Sequence, residues 1–245
     1  MSSDAERPAF YALASGGWRD YWTLLHVPYT AWHLSYVVLG AAIAPVLHVR
    51  FLLETLLAFF LALGVSAHAL DELHGRPLRT RIPDRVLAGL ATVGLAGAIA
   101  LGVDGATEVT PWIWAFIVVG GFLVVAYNLE LFGGAFHSDL WFALAWGAFP
   151  ALTAYVAQTA TVRLDIVVLA AACAVISAAQ RVLSTPVRRL RRDVAEVHGQ
   201  VVLRDGGSEP IDAPTLLAAP ESALRWLSLA MPLLAAAALI ARLSA

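Results

Sequence analysis

The stretch Ser66-Ala67-His68-Ala69-Leu70-Asp71-Glu72-Leu73-His74-Gly75-Arg76-Pro77-Leu78-Arg79-Thr80-Arg81-Ile82-Pro83 decides how the chain is read. It closes one long apolar run and leads into the next. Within it sit two histidines, two carboxylates and three arginines. Ionisable groups inside or at the edge of a bilayer are costly, and by default they mark function. On a helix, His68 precedes Asp71 by three residues and Glu72 by four, so the three share a face. Such a face can hold a cation, and the arginines just beyond it can hold an anion.

The rest of the chain sets this stretch in a membrane. Of its 245 residues, 60% are hydrophobic and 14% charged, whereas an ordinary soluble domain is about half apolar and about a quarter charged. The net charge of −2 gives no reason to expect nucleic acid. Every basic residue is arginine, which excludes a lysine Schiff base. The single cysteine, Cys173, excludes an intrachain disulfide and a cysteine-rich metal site. Residues 1–21 are polar and mixed in charge, without the basic start, apolar middle and small-residue cleavage site of a signal peptide.

A bilayer span needs about 20 mostly apolar residues. Seven runs qualify, near residues 22–46, 51–70, 86–103, 111–129, 140–157, 166–183 and 223–240. They do not alternate as barrel strands would, so helix is the expected state. The expected fold is therefore an all-α polytopic membrane bundle of about seven transmembrane helices. Residues 1–21 form an N-terminal segment, 22–184 a six-span bundle with the polar site, 185–222 an extramembrane connection and 223–245 the last span. Seven spans put the N-terminus and the arginine-rich connections on one side, which the positive-inside rule makes the cytoplasm. In residues 185–222, the run Pro186–His198 reads as a basic helix on the membrane surface, followed by a small hairpin turning at Asp205-Gly206-Gly207.

At this point a family resemblance enters. Residues His68–Pro83 resemble the first aspartate-rich motif of the UbiA-type intramembrane prenyltransferase superfamily. That motif lies at the cytoplasmic end of the second helix and is followed by an Arg-Pro and a basic loop. Asp71 matches a motif aspartate, while His68 and Gly75 stand where two others would be. His26-Val27-Pro28 through Leu39-Gly40-Ala41-Ala42 is similar to the family's first helix. The run from Tyr127-Asn128 to Asp139 is similar to its tyrosine-led loop. The family's second acidic motif is replaced by Gln180-Arg181-Val182-Leu183-Ser184-Thr185-Pro186-Val187-Arg188-Arg189, and its usual nine helices by about seven.

The resemblance implies an enzyme acting on a prenyl diphosphate, by transfer to an acceptor or by cyclisation. Asp71 and Glu72 would hold Mg²⁺ and His68 would orient or supplement that site. Arg76 and Arg79 would contact diphosphate, and Tyr127 would contribute to the substrate site. Arg181, Arg188 and Arg189 could grip the diphosphate directly, since guanidinium matches phosphate geometry. The blander account anchors these arginines to anionic lipid.

A second account starts from histidine. His33, Glu54, His68, Asp71, Glu72, Glu130, His137 and Asp139 supply a histidine–carboxylate ligand set suited to Fe, Mn or Zn. That set would serve a membrane oxidoreductase acting on a lipid-like substrate. A third account is a non-catalytic lipid-binding or scaffold protein. The sequence leaves these three open, together with a homo-oligomer or a partner subunit that supplies further helices.

Overall fold

Backbone groups in lipid must be satisfied within their own segment, and the apolar runs accordingly form helices. The computed structural model describes residues 7–244, so residues 1–6 of the expected N-terminal segment lie outside the described residues. Helix α1 covers Trp18–Leu24 and α2 covers Val27–Ala42. They are followed by α3 (Val49–Leu73), α4 (Asp84–Glu108), α5 (Ile113–Asn128), α6 (Asp139–Thr159) and α7 (Leu164–Arg192). A hairpin of β1 (Gly199–Val202) and β2 (Ser208–Ile211) precedes α8 (Ala213–Ser244).

Five of these helices, α3, α4, α6, α7 and α8, are long and apolar enough to cross a membrane. The outward faces of α4, α7 and α8 stay apolar, with Val93, Val168, Val175, Val182 and Leu233 exposed. Helices α2 and α5 are apolar but have 16 residues each, short of the ~20 a span needs. The expected first span, 22–46, breaks at His26. That residue takes a left-handed conformation, φ 45°, and Pro28 begins a new helix after it.

Small residues set the helix crossings. A Cβ on Gly40 would collide with the Ala151 carbonyl oxygen, which lets α2 lie directly on α6. A Cβ on Gly147 would stand 2.7 Å from the Cys173 carbonyl oxygen, which does the same for α6 on α7. Packing of this kind is the usual basis of association in membranes. Helix α8 lies along α2 and completes a core around Trp32, Tyr36, Tyr155 and Ile166. Trp32 Nε1 donates to Tyr36 Oη at 2.6 Å and Ser177 Oγ donates to the same oxygen at 3.1 Å, so these buried polar atoms are partnered.

Two helices change pitch. Residues Phe60–Ala67 of α3 and Ala143–Ala148 of α6 are π-helical. Such segments free carbonyls from the regular ladder and often sit at functional sites. Here they border the same region, described below.

One further expectation changes. The run Pro186–His198 is not a separate surface helix: α7 continues unbroken through Pro186 to Arg192. The hairpin forms as expected, with Val202 paired to Ser208 across the Asp205-Gly206-Gly207 turn.

Candidate functional site

The C-terminal end of α3 is the centre of the site, and its two carboxylates part company there. Glu72 is fully buried. Its carboxylate accepts from the Leu78 amide at 2.9 Å and the Thr80 amide at 2.8 Å. It therefore folds the 74–83 loop back onto α3. Within that loop Arg76 and Arg79 adopt left-handed conformations, φ 56° and 55°. Non-glycine residues hold such conformations only where the surroundings over-determine them, and the Glu72 bonds do that here. Arg76 donates to the Thr80 and Ile82 carbonyls and pairs with Asp84.

Asp71 points the other way, into a cavity of about 520 Å³. The N-terminal segment, the 74–83 loop, the loop after α5 and the end of α7 all meet there. The wall carries five of the seven histidines: His26, His33, His68, His74 and His137. Five arginines reach it, Arg76, Arg79, Arg181, Arg188 and Arg192, against three carboxylates, Asp71, Glu130 and Asp193.

The arginines are not equally engaged. Arg181 is paired with Asp139 at 2.8 Å, and Arg79 donates to the Arg192 carbonyl at 3.3 Å. Arg188 makes a single long bond to Thr185 Oγ1, 3.5 Å. Arg192 donates to the Pro8 carbonyl at 3.4 Å. Among the described residues neither Arg188 nor Arg192 has a carboxylate within ion-pair distance. Being four apart on α7, they share a face and leave guanidinium donors for an anion. Their charges act on Asp71 across the cavity.

The histidines are fixed by carbonyls. His68 Nδ1 bonds the Gly64 carbonyl at 3.1 Å, and His33 Nδ1 bonds the Trp146 carbonyl at 2.9 Å. Both acceptors belong to the π-helical segments. His137 Nδ1 bonds the Tyr127 carbonyl at 3.0 Å. In each case Nδ1 carries the proton and Nε2 keeps a lone pair. His26 stacks on His68 with ring centroids 4.0 Å apart, and its Nδ1 meets Tyr11 Oη at 2.8 Å. Burial pushes the Tyr11 phenol up, so it stays neutral and donates.

Three wall atoms have no partner among the described residues: His26 Nε2, Tyr127 Oη and Gln180 Oε1. Buried polar atoms are nearly always bonded, so these three ask for a ligand. An aromatic group of Tyr127, Phe142 and Trp146 closes the deep side, with Tyr127 and Trp146 centroids 4.5 Å apart.

The expected site residues thus fall into groups. His33, His68, Asp71, Arg76, Arg79, Tyr127, Glu130, His137, Arg181 and Arg188 line one cavity. Glu72 and Asp139 stand beside it, engaged with the loop amides and with Arg181. Arg189 is exposed and does not line the cavity. Glu54 lies at the other end of α3, where Arg50 binds it at 2.6 Å together with Asp104 and Glu108. Sequence reasoning missed Arg192, Gln180, Trp146 and the N-terminal residues Pro8–Tyr11, since the turn of α7 and the path of the first residues are not readable from spacing.

The resemblance implies Mg²⁺, and the donor set can be tested for it. Among the described residues no three His, Cys, Asp or Glu side chains are grouped so as to hold a metal ion. Glu72, the second expected ligand, is spent on two backbone amides. The residues do not fit a protein-built metal cage, and no step below runs through one. Comparisons of the chain with protein-family models, with curated proteins and with solved structures give no match.

Proposed function

We propose that this chain is an integral-membrane enzyme of UbiA-like architecture that binds a prenyl diphosphate in the cavity at the end of α3. On this reading α2 and α5 are the two remaining spans, and the cavity opens to the cytoplasm. The observation that carries the proposal is the pairing of two arginines without a carboxylate partner among the described residues, Arg188 and Arg192, with an aromatic wall in one cavity of an apolar bundle. An anionic headgroup with an apolar tail suits that combination.

The chemistry follows from charge. The bond between the prenyl C1 and the diphosphate oxygen breaks, and the electron pair leaves with the diphosphate. Arg188 and Arg192 stabilise the charge that gathers on the leaving group. The allylic cation left behind faces Tyr127, Phe142 and Trp146, whose π-faces attract positive charge. An acceptor, or a double bond of the same chain, then attacks C1. The proton released goes to a basic group on the wall, of which Asp71 is the carboxylate at the centre.

The test is diphosphate release by the purified protein in bicelles, with prenyl diphosphates of three chain lengths. Wild type releases diphosphate, and Arg188→Ala lowers the rate by about 10²–10³, the usual cost of one such donor. Absence of turnover and of binding for every prenyl diphosphate overturns the proposal.

A further inference from the structure

Residues 8–13 cross the cavity without helical structure, and Pro8, Ala9, Phe10 and Tyr11 form part of its wall. Side-chain contacts hold them there. Phe10 packs edge-on to Tyr29 and joins the cluster of Val187, Leu217 and Leu224, and Arg225 of α8 lies 4.9 Å over its ring. Tyr11 bonds His26, and the Leu13 amide donates to Thr23 Oγ1 at 3.0 Å. Immediately after this run come Gly16 and Gly17, with φ of 122° and 63°. Residues 14 and 15 are exposed, and a Cβ on Gly17 would meet nothing within 4 Å. Two successive glycines in a conformation that other residues avoid mark the pivot, where the Gly16 amide is held by Asp20 Oδ1 at 2.9 Å. One residue couples this run to the ligand site: Arg192, which lines the cavity, also donates to the Pro8 carbonyl.

We infer that residues 8–13 are a strap, hinged at Gly16–Gly17, that releases for a phosphorylated lipid to enter or leave the cavity and closes again over it. This rests on the proposed ligand class. Arg192 Nε holds the Pro8 carbonyl while the residue lines the cavity, so the closed strap lies beside the bound anion.

Arg225 tests this from outside the cavity, because it is exposed and lies over the Phe10 ring of the strap. The probe is geranyl thiodiphosphate, which ionises poorly, and its association and dissociation rates are read by stopped flow. In Arg225→Leu, loss of one exposed cation–π contact raises both rates about two- to fivefold and leaves Kd nearly unchanged. Thr23→Val, which in the full chain removes the acceptor of the Leu13 amide, raises both rates as well. Unchanged rates in both variants overturn the strap, as does a change in Kd carried by one rate alone, which would make residues 8–13 a fixed wall. If wild type binds no probe at all, the proposed ligand class fails and the strap with it. Binding with unaltered kinetics removes the strap alone.

Discussion

Glu72→Ala separates a loop anchor from a metal ligand. The Glu72 carboxylate is fully buried and accepts the Leu78 and Thr80 amides at 2.9 and 2.8 Å. A hydrogen bond to a charged group contributes about 1.5–3 kcal/mol, and an orphaned buried donor costs about 1–3 kcal/mol. Truncation orphans two amides, so the expected loss is about 3–5 kcal/mol. Glu72→Gln keeps one acceptor oxygen and sets its NH₂ group against the other amide, so about half that loss is expected. The assay is reversible unfolding in mixed micelles, together with limited trypsin cleavage at Arg79 and Arg81. Both variants should expose these arginines to cleavage before global unfolding. A loss below about 1 kcal/mol in Glu72→Ala would refute the anchoring role. So would a wild type that divalent cations stabilise and a Glu72→Gln variant that they do not.

Other outcomes follow from single contacts. Gly40→Ala forces a methyl into the Ala151 carbonyl, and overpacking of this kind costs about 1–3 kcal/mol in the same unfolding assay. Arg191→Ala leaves Glu221, paired to it between α7 and α8 with both side chains at or below 10% exposure, as an uncompensated charge. A loss of about 3–5 kcal/mol is expected there, and Arg191→Ala/Glu221→Ala should recover part of it. Asp71→Asn should abolish prenyl diphosphate turnover without lowering the unfolding midpoint, since the Asp71 side chain lines the cavity whereas the Leu78 and Thr80 amides are held by Glu72. At the start of α8, the Thr215 hydroxyl and amide hold the Asp212 carboxyl below its ordinary value of 3.8. That contribution is present above the unfolded value and fades as pH falls through the lower folded value. Hydrogen exchange at Thr215 should rise on acidification below that point, and Asp212→Ala should remove the dependence.

The fold was legible where the period of the sequence was strong. The long runs of α3, α4, α6, α7 and α8 could be nothing but helices, and Gly206 marked the hairpin turn. The break at His26 was not legible, because a left-handed histidine leaves no periodic trace and Pro28 suits a helix start as well as a kink. Nor was the length of α7. The expected surface helix began at Pro186, but α7 runs unbroken past it and carries Arg188 and Arg192 to the cavity. The site was half legible. Helical spacing put His68, Asp71 and Glu72 on one end of α3. It could not tell that Glu72 turns to the loop while Asp71 turns to the cavity, since that depends on the left-handed residues at 76 and 79. Glu54 was grouped with His68 by angle around the helix alone. Their separation along α3 sets Glu54 with Arg50 at the far end. Residues 8–13 reach the cavity through tertiary contacts that no local pattern announces.

The central claim is that Arg188 and Arg192 hold the diphosphate of a prenyl chain. Equilibrium binding of geranyl thiodiphosphate and of geraniol tests it most directly, in wild type and in Arg188→Ala/Arg192→Ala. The claim predicts tight diphosphate binding by wild type, weakened by at least about tenfold in the double variant, and weak geraniol binding that the variant leaves unchanged. Equal affinity for the two ligands, or diphosphate binding that survives loss of both arginines, would contradict it.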